Sequence, residues 1–103
     1  MNYKLDENHV PVPVGSDDYS GYESDRTVEK TSLTIDGEEV RISTVFLVID
    51  HSFGDGPPLL FETMIFGGTY DEYQERYTTW DDAVDGHKYA VELAKGQRTL
   101  PED

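Results

Sequence analysis

The chain has 103 residues, no cysteine, and 22 Asp and Glu against 8 Lys and Arg, for a formal net charge of −14. That length allows one domain around one modest core, and the missing cysteines exclude a disulfide framework and thiolate metal sites. The charge repels nucleic acid and anionic membranes and attracts basic surfaces, so direct nucleic-acid or membrane binding is not expected.

Residues 1–27 are poor in aliphatic side chains and hold Pro11, Pro13, Gly15 and Gly21 among acids and tyrosines. They read as an extended, partly mobile acidic arm, in which His9–Val14 suits an edge strand or polyproline-like stretch. The opening MNYKLDENHVPVPV lacks the basic and apolar regions of a secretory signal, and no apolar run nears the ~20 residues that span a bilayer. A cytoplasmic location follows as the expectation.

Val28–Ile35 and Glu38–Asp50 are rich in β-branched residues and flank Asp36-Gly37, a strong hairpin signal. A two-residue turn places Ile35 opposite Glu38, Leu33 opposite Val40 and Val28 opposite Val45. The run Val45–Ile49 is apolar on both faces, which predicts a central strand covered on both sides at that end. His51–Pro58, with two glycines and two prolines, is a loop, and Gly54-Asp55-Gly56 within it reads as a rigid turn, since it lacks the acids of an EF-hand and the lysine of a P-loop.

Leu59–Phe66 reads as a third strand stopped by Gly67-Gly68. Tyr70–Tyr77 reads as a loop leading to a short edge strand at Arg76–Thr78. Thr79 with Asp82 resembles a capping box, and Trp80, Ala83, Val84, His87, Ala90, Val91 and Ala94 recur at helical spacing up to Gly96. Gly86 inside the helix marks a close approach. The expected fold is α+β: a small antiparallel sheet of three to four strands with one C-terminal helix on one face. The domain spans residues 28–96, with residues 97–103 as a tail.

Four polar residues in apolar surroundings are the candidates for chemistry: Asp50, His51, Glu62 and His87. Pairing Asp50 with Leu59 puts Leu47 opposite Glu62, on one face with His51 and Met64. If the helix covers that face, His87 meets Glu62. Such a pair suits acid–base chemistry, and it equally suits a buried carboxylate satisfied by an imidazole. Asp50-His51 also fits a turn-initiating pair. No HExxH spacing, P-loop, dinucleotide fingerprint or GxSxG elbow is present, and no cofactor is expected.

The acidity has three readings: charge that keeps the chain dissolved, adaptation to high salt, or imitation of a polyanion. Tyr19 and Tyr22 in the arm, and Tyr70, Tyr73 and Tyr77 further on, are aromatic anchors among carboxylates, suited to docking on a basic groove. Alternatively, Tyr73 and Tyr77 cover the sheet edge. The candidate partner-binding set is Asp17, Asp18, Glu23, Asp25, Asp71, Glu72, Tyr73 and Glu75.

Three ordered stretches, Ile42-Ser-Thr-Val-Phe-Leu-Val-Ile-Asp-His51, Gly54-Asp-Gly-Pro-Pro-Leu-Leu-Phe-Glu-Thr-Met-Ile-Phe-Gly-Gly68 and Tyr73-Gln-Glu-Arg-Tyr-Thr-Thr-Trp80, with Gly86-His87, resemble a family of small uncharacterised bacteriophage and prophage proteins. The opening Tyr3–His9 with Pro11-Val-Pro13 is similar to that family's start. Gly15–Asp25 departs from it, holding Asp, Ser and Tyr where the family has a tryptophan-rich stretch. The resemblance implies phage origin and action in the cytoplasm of an infected bacterium, and it implies no activity. The leading expectation is an accessory protein that binds a host protein through its acidic surface, with nucleic-acid mimicry as its sharper version. The alternatives are a small enzyme or metal-dependent site built on Asp50, His51, Glu62 and His87, or a minor virion component.

Overall fold

A computed structural model describes residues 2–23, 25–50, 52 and 54–98. Strands β1 (Asn2–Leu5) and β2 (Pro11–Val14) form a separate hairpin, and a one-turn helix α1 (Ser20–Glu23) follows. Strands β3 (Thr27–Ile35), β4 (Glu38–Phe46), β5 (Phe61–Phe66) and β6 (Gln74–Tyr77) make a four-stranded antiparallel sheet in chain order. Helix α2 (Trp80–Ala94) packs across one face. This is the α+β architecture expected from the pattern.

The hairpin between β3 and β4 turns through Asp36 at φ 52° and Gly37 at φ 82°, the two positive angles of a type I′ turn. It pairs Ile35 with Glu38 and Leu33 with Val40 as expected. At the far end a bulge intervenes, and Thr27, not Val28, lies opposite Val45. Val40, Ile42, Thr44 and Phe46 alternate into the buried face, the period of two that a half-covered strand requires.

The second pairing departs from expectation by two residues: Val45, not Leu47, lies opposite Glu62. The cause is Val48. Strand β4 ends at Phe46, and Val48 takes φ 72°, a costly conformation of about 1–3 kcal/mol for a β-branched residue. Its side chain is fully buried beside Phe46, Leu60, Phe61 and Ala83, and its carbonyl accepts from the Tyr3 amide at 2.8 Å. Burying a valine contributes a comparable 1.5–3 kcal/mol or so, which offsets the strain. The doubly apolar run therefore ends β4 in a bend at Val48, with Phe46 and Val48 two residues apart in the same core. It is not sandwiched: Ile49 is 43% exposed, and among the described residues α2 and, at this end, Tyr3 and Leu5 of β1 cover the same core.

The arm is extended and docked. Tyr3 and Leu5 pack on that same core, and Asn2 is buried with its side-chain amide donating to the Asp18 carbonyl at 3.0 Å. A Cβ on Gly21 would collide with the Tyr3 carbonyl oxygen and reach 3.2 Å from Val48 Cγ1, so only glycine lets α1 lie there. His9 stacks on Trp80 with ring centroids 3.9 Å apart. Few aliphatic residues are needed, because backbone and ring contacts hold this segment.

Thr79 caps α2, its hydroxyl accepting from the Asp82 amide at 3.1 Å. The helix closes with Gly96 N–H to Leu93 O at 3.0 Å and Gln97 N–H to Glu92 O at 2.8 Å, the paired bonds of a Schellman motif, with Gly96 at φ 77°. Between sheet and helix lie two apolar clusters. One holds Phe46, Val48, Leu60, Phe61 and Ala83, and the other Val40, Ile42, Ile65 and Ala90. A polar layer of Thr44, Thr63 and His87, all fully buried, separates them.

Candidate functional site

That polar layer is the most chemically loaded place in the molecule. Thr44 on β4 stands directly opposite Glu29 on β3 and Thr63 on β5, and α2 brings His87 down onto all three. The His87 Nδ1 lies 2.7 Å from Thr44 Oγ1, and Thr44 Oγ1 lies 2.5 Å from Thr63 Oγ1. On the other side of the ring, Nε2 lies 2.8 Å from Thr31 Oγ1 and 3.1 Å from a Glu29 carboxylate oxygen.

Directions follow from the carboxylate, which only accepts. Nε2 therefore carries the proton and donates towards Glu29, Nδ1 accepts from the Thr44 hydroxyl, and Thr44 in turn accepts from Thr63. Burial pushes the His87 pKa below its ordinary 6.5, and the Glu29 charge partly opposes this. The ring is neutral at pH 7. The Tyr77 hydroxyl, also buried, sits beside Thr63 outside standard hydrogen-bond geometry, and burial raises its pKa.

Hydroxyl, imidazole and carboxylate in that order is the arrangement of an activated nucleophile. Thr44, Thr63 and His87 have no exposed surface, so the hydroxyl placed as nucleophile is buried, while Glu29 and the half-buried Thr31 reach solvent beside Nε2. With Thr44 and Thr63 buried, the arrangement satisfies buried polar groups and fixes helix against sheet.

The meeting of imidazole and carboxylate under the helix thus occurs with Glu29, and the expected partner Glu62 is on the other face. There Glu62 accepts from Arg76 Nε at 2.9 Å and from the Gln74 side chain. Asp50 closes the loop after β4, one oxygen accepting from the Ser52 and Leu59 amides at 2.8 Å and the other from the Ser52 hydroxyl at 2.9 Å. His51 lies outside the described residues. Asp50, Glu62 and His87 do not converge, and among the described residues no group of three or more His, Asp or Glu is placed to hold a metal ion.

The missed members, Glu29, Thr31, Thr44 and Thr63, carried a signal. The hairpin register alone puts Glu29 opposite Thr44, and both threonines in β4 and β5 sit at the same parity as Val40, Ile42, Phe61 and Ile65.

The candidate binding acids fall into two groups. Asp17, Asp18, Glu23 and Asp25 flank α1 at the arm end. Hydrogen bonds from the Ser20 side chain and amide hold the carboxyl of half-buried Asp18 below its usual pKa, and the Thr27 amide lowers that of exposed Asp25. Asp71 and Glu72 sit at the opposite end of the sheet, beside the hairpin turn, where the Gly68 amide donates to Glu38 at 3.2 Å and the Gly67 amide to Asp71 at 2.8 Å. The length of β4 separates the groups, about 27 Å at ~3.4 Å per residue. Glu75 is exposed on β6. Tyr73 and Tyr77 pack against the core from the sheet edge, and burial holds the Tyr73 pKa well above its usual value. Tyr19 and Tyr22 are exposed, with Arg26 over the Tyr22 ring.

No described helix is long and apolar enough to cross a membrane. No protein-family model, curated protein or solved structure matches the chain.

Proposed function

We propose that the protein acts by binding: it is a phage accessory protein that engages a basic surface on a host protein, in the manner of a polyanion. What carries the reading is where the charge lies. Of the described acidic residues only Asp6, Asp18, Glu62 and Glu92 are even partly covered. Among the described residues the arginine pairs are Glu39–Arg41, Glu62–Arg76 and Glu92–Arg98. Most of the −14 therefore faces outward without a compensating cation. Acid-dense ends about 27 Å apart match the span of some eight phosphates along one strand at ~3.4 Å spacing.

Binding of this kind weakens with salt. The test is capture of host proteins from infected lysate at low and high salt, followed by competition with duplex DNA on the retained protein. The expected result is a nucleic-acid-binding protein that is lost at high salt and displaced by DNA. Charge reversal of Asp17, Asp18, Asp71 and Glu72 should weaken its capture at least about tenfold. A partner held equally at both salts and indifferent to DNA would refute the mimic.

A further inference from the structure

The two edges of the four-stranded sheet are unlike. β6 is four residues long, which blunts it, whereas β3 runs nine residues with no strand beyond it among the described residues. The register of the two-residue hairpin turns the amides and carbonyls of Thr31, Leu33 and Ile35 towards β4, and therefore those of Lys30, Ser32 and Thr34 away from the sheet. These three residues are exposed, and no described backbone group bonds to their outward atoms.

A hollow lies on each side of this edge at the level of Thr31, which lines both. On the face away from α2, one of about 220 Å³ opens between Lys30, Ser32, Arg41 and Phe66. On the α2 side, one of about 350 Å³ opens between Glu29, Lys88, Val91, Glu92 and Lys95. Four cations against two carboxylates line the hollows, while the other four cations and twenty acids of the chain leave −16 elsewhere. Both carboxylates are already engaged, Glu29 by His87 Nε2 at 3.1 Å and Glu92 by Arg98. Of the four cations only Arg41 has a carboxylate partner among the described residues, Glu39 at 3.6 Å.

We infer that β3 takes an extended acidic segment of a partner protein as a fifth strand. Main-chain bonds to an open edge supply affinity, and hollows for alternate side chains supply selection. Successive residues of an added strand point to opposite faces, so neighbouring side chains enter one hollow each. Carboxylates there meet Lys30 and Arg41 on one face and Lys88 and Lys95 on the other. A lysine by itself is the ordinary guard of a bare edge; here the lysines accompany two hollows astride one residue. A second copy of β3 would set these cations against their own kind. The edge shares no residue with the acidic set proposed to meet the host protein, so either reading can fail alone.

The probes are a capped peptide of about eight residues alternating Glu and Val, and its Lys–Val counterpart, at ~150 mM salt, where the ~8 Å Debye length screens the distant acids. Fluorescence anisotropy gives the affinity, and amide hydrogen exchange followed by NMR gives the place. The Glu–Val peptide should bind at least about tenfold tighter than the Lys–Val peptide, and should protect the Lys30, Ser32 and Thr34 amides. Ser32→Pro removes one outward amide without breaking the ladder to β4, and should weaken binding about tenfold. Lys88→Glu leaves the strand untouched, lies on the exposed side of α2, and should weaken binding about fivefold or more. No binding of the Glu–Val peptide up to about 1 mM, equal binding of both peptides, protection elsewhere on the chain, or indifference to both variants would overturn the inference. Protection that rises with chain concentration alone would assign the edge to a second copy and overturn it as well.

Discussion

Replacing Gly86 with alanine in the middle of α2 ordinarily stabilises a helix by about 1 kcal/mol. Here the opposite sign is expected. A Cβ at position 86 would fall inside the van der Waals envelope of Tyr77 Cζ and Oη and within 2.5 Å of Cε1, where carbon contacts settle at ~3.5–4.0 Å. The phenol must retreat by about 1 Å or more, and behind it lies the cluster of Phe46, Leu60, Phe61 and Ala83. Overpacking costs roughly 1–3 kcal/mol, and overlap with three ring atoms places this case at the upper end. The net loss is about 2 kcal/mol, a fall in Tm of roughly 8 °C for a chain this size. Urea and thermal unfolding followed by circular dichroism measure it. The decisive arm is Tyr77→Leu, which removes the offending ring atoms: in that background Gly86→Ala should stabilise by about 1 kcal/mol. A Gly86→Ala protein as stable as the parent, or the same sign in both backgrounds, would refute the packing argument.

Two further outcomes test the buried polar layer. His87 is neutral when folded and takes up a proton more readily when unfolded, so the unfolded state binds more protons below about pH 6.5. Its contribution is present above that pH and is lost as pH falls from 6.5 towards the depressed folded value, with a slope of up to ~1.4 kcal/mol per pH unit. Subtracting the pH–stability curve of His87→Gln from that of the parent should isolate this slope, and a flat difference between pH 5 and 7 would contradict the assignment. Thr44→Val strands His87 Nδ1 and the Thr63 hydroxyl together, so a loss of about 2 kcal/mol is expected. Thr44→Val with Thr63→Val should cost less than the sum of the single changes, because only the imidazole is then unsatisfied; strict additivity in denaturant melts would count against the relay.

Much of the fold was readable because its signals are local. Asp36-Gly37 demands a tight hairpin, Thr79 and Gly96 bracket a periodic helix, and Gly86 flags a close approach. Each rests on backbone angles or hydrogen bonds within a few residues. The register of β3 on β4 followed directly from the turn. The register of β4 on β5 did not, because it depends on where β4 stops, and that is decided by Val48. Nothing in a β-branched residue announces a left-handed φ; the cost is repaid by burial and by the Tyr3 amide, a partner 45 positions away.

The candidate site shows the same division. That a buried imidazole would need a carboxylate was legible from His87 on an apolar helical stripe. Which carboxylate depended on which face of the sheet the helix covers, and alternation in a strand distinguishes two faces without saying which is inside. Phe61, Thr63 and Ile65 on one side of β5, and Glu62, Met64 and Phe66 on the other, are balanced enough to leave that choice to tertiary packing. By itself, then, the sequence determined the elements from β3 to α2, their turns and caps and an outward excess of negative charge, since these follow from local backbone chemistry and composition. Only the tertiary structure decided that Glu29, not Glu62, meets His87, and that Val48 bends the chain out of β4. Those outcomes are set by long-range packing, where burial of Val48 and the seating of α2 outweigh every local preference.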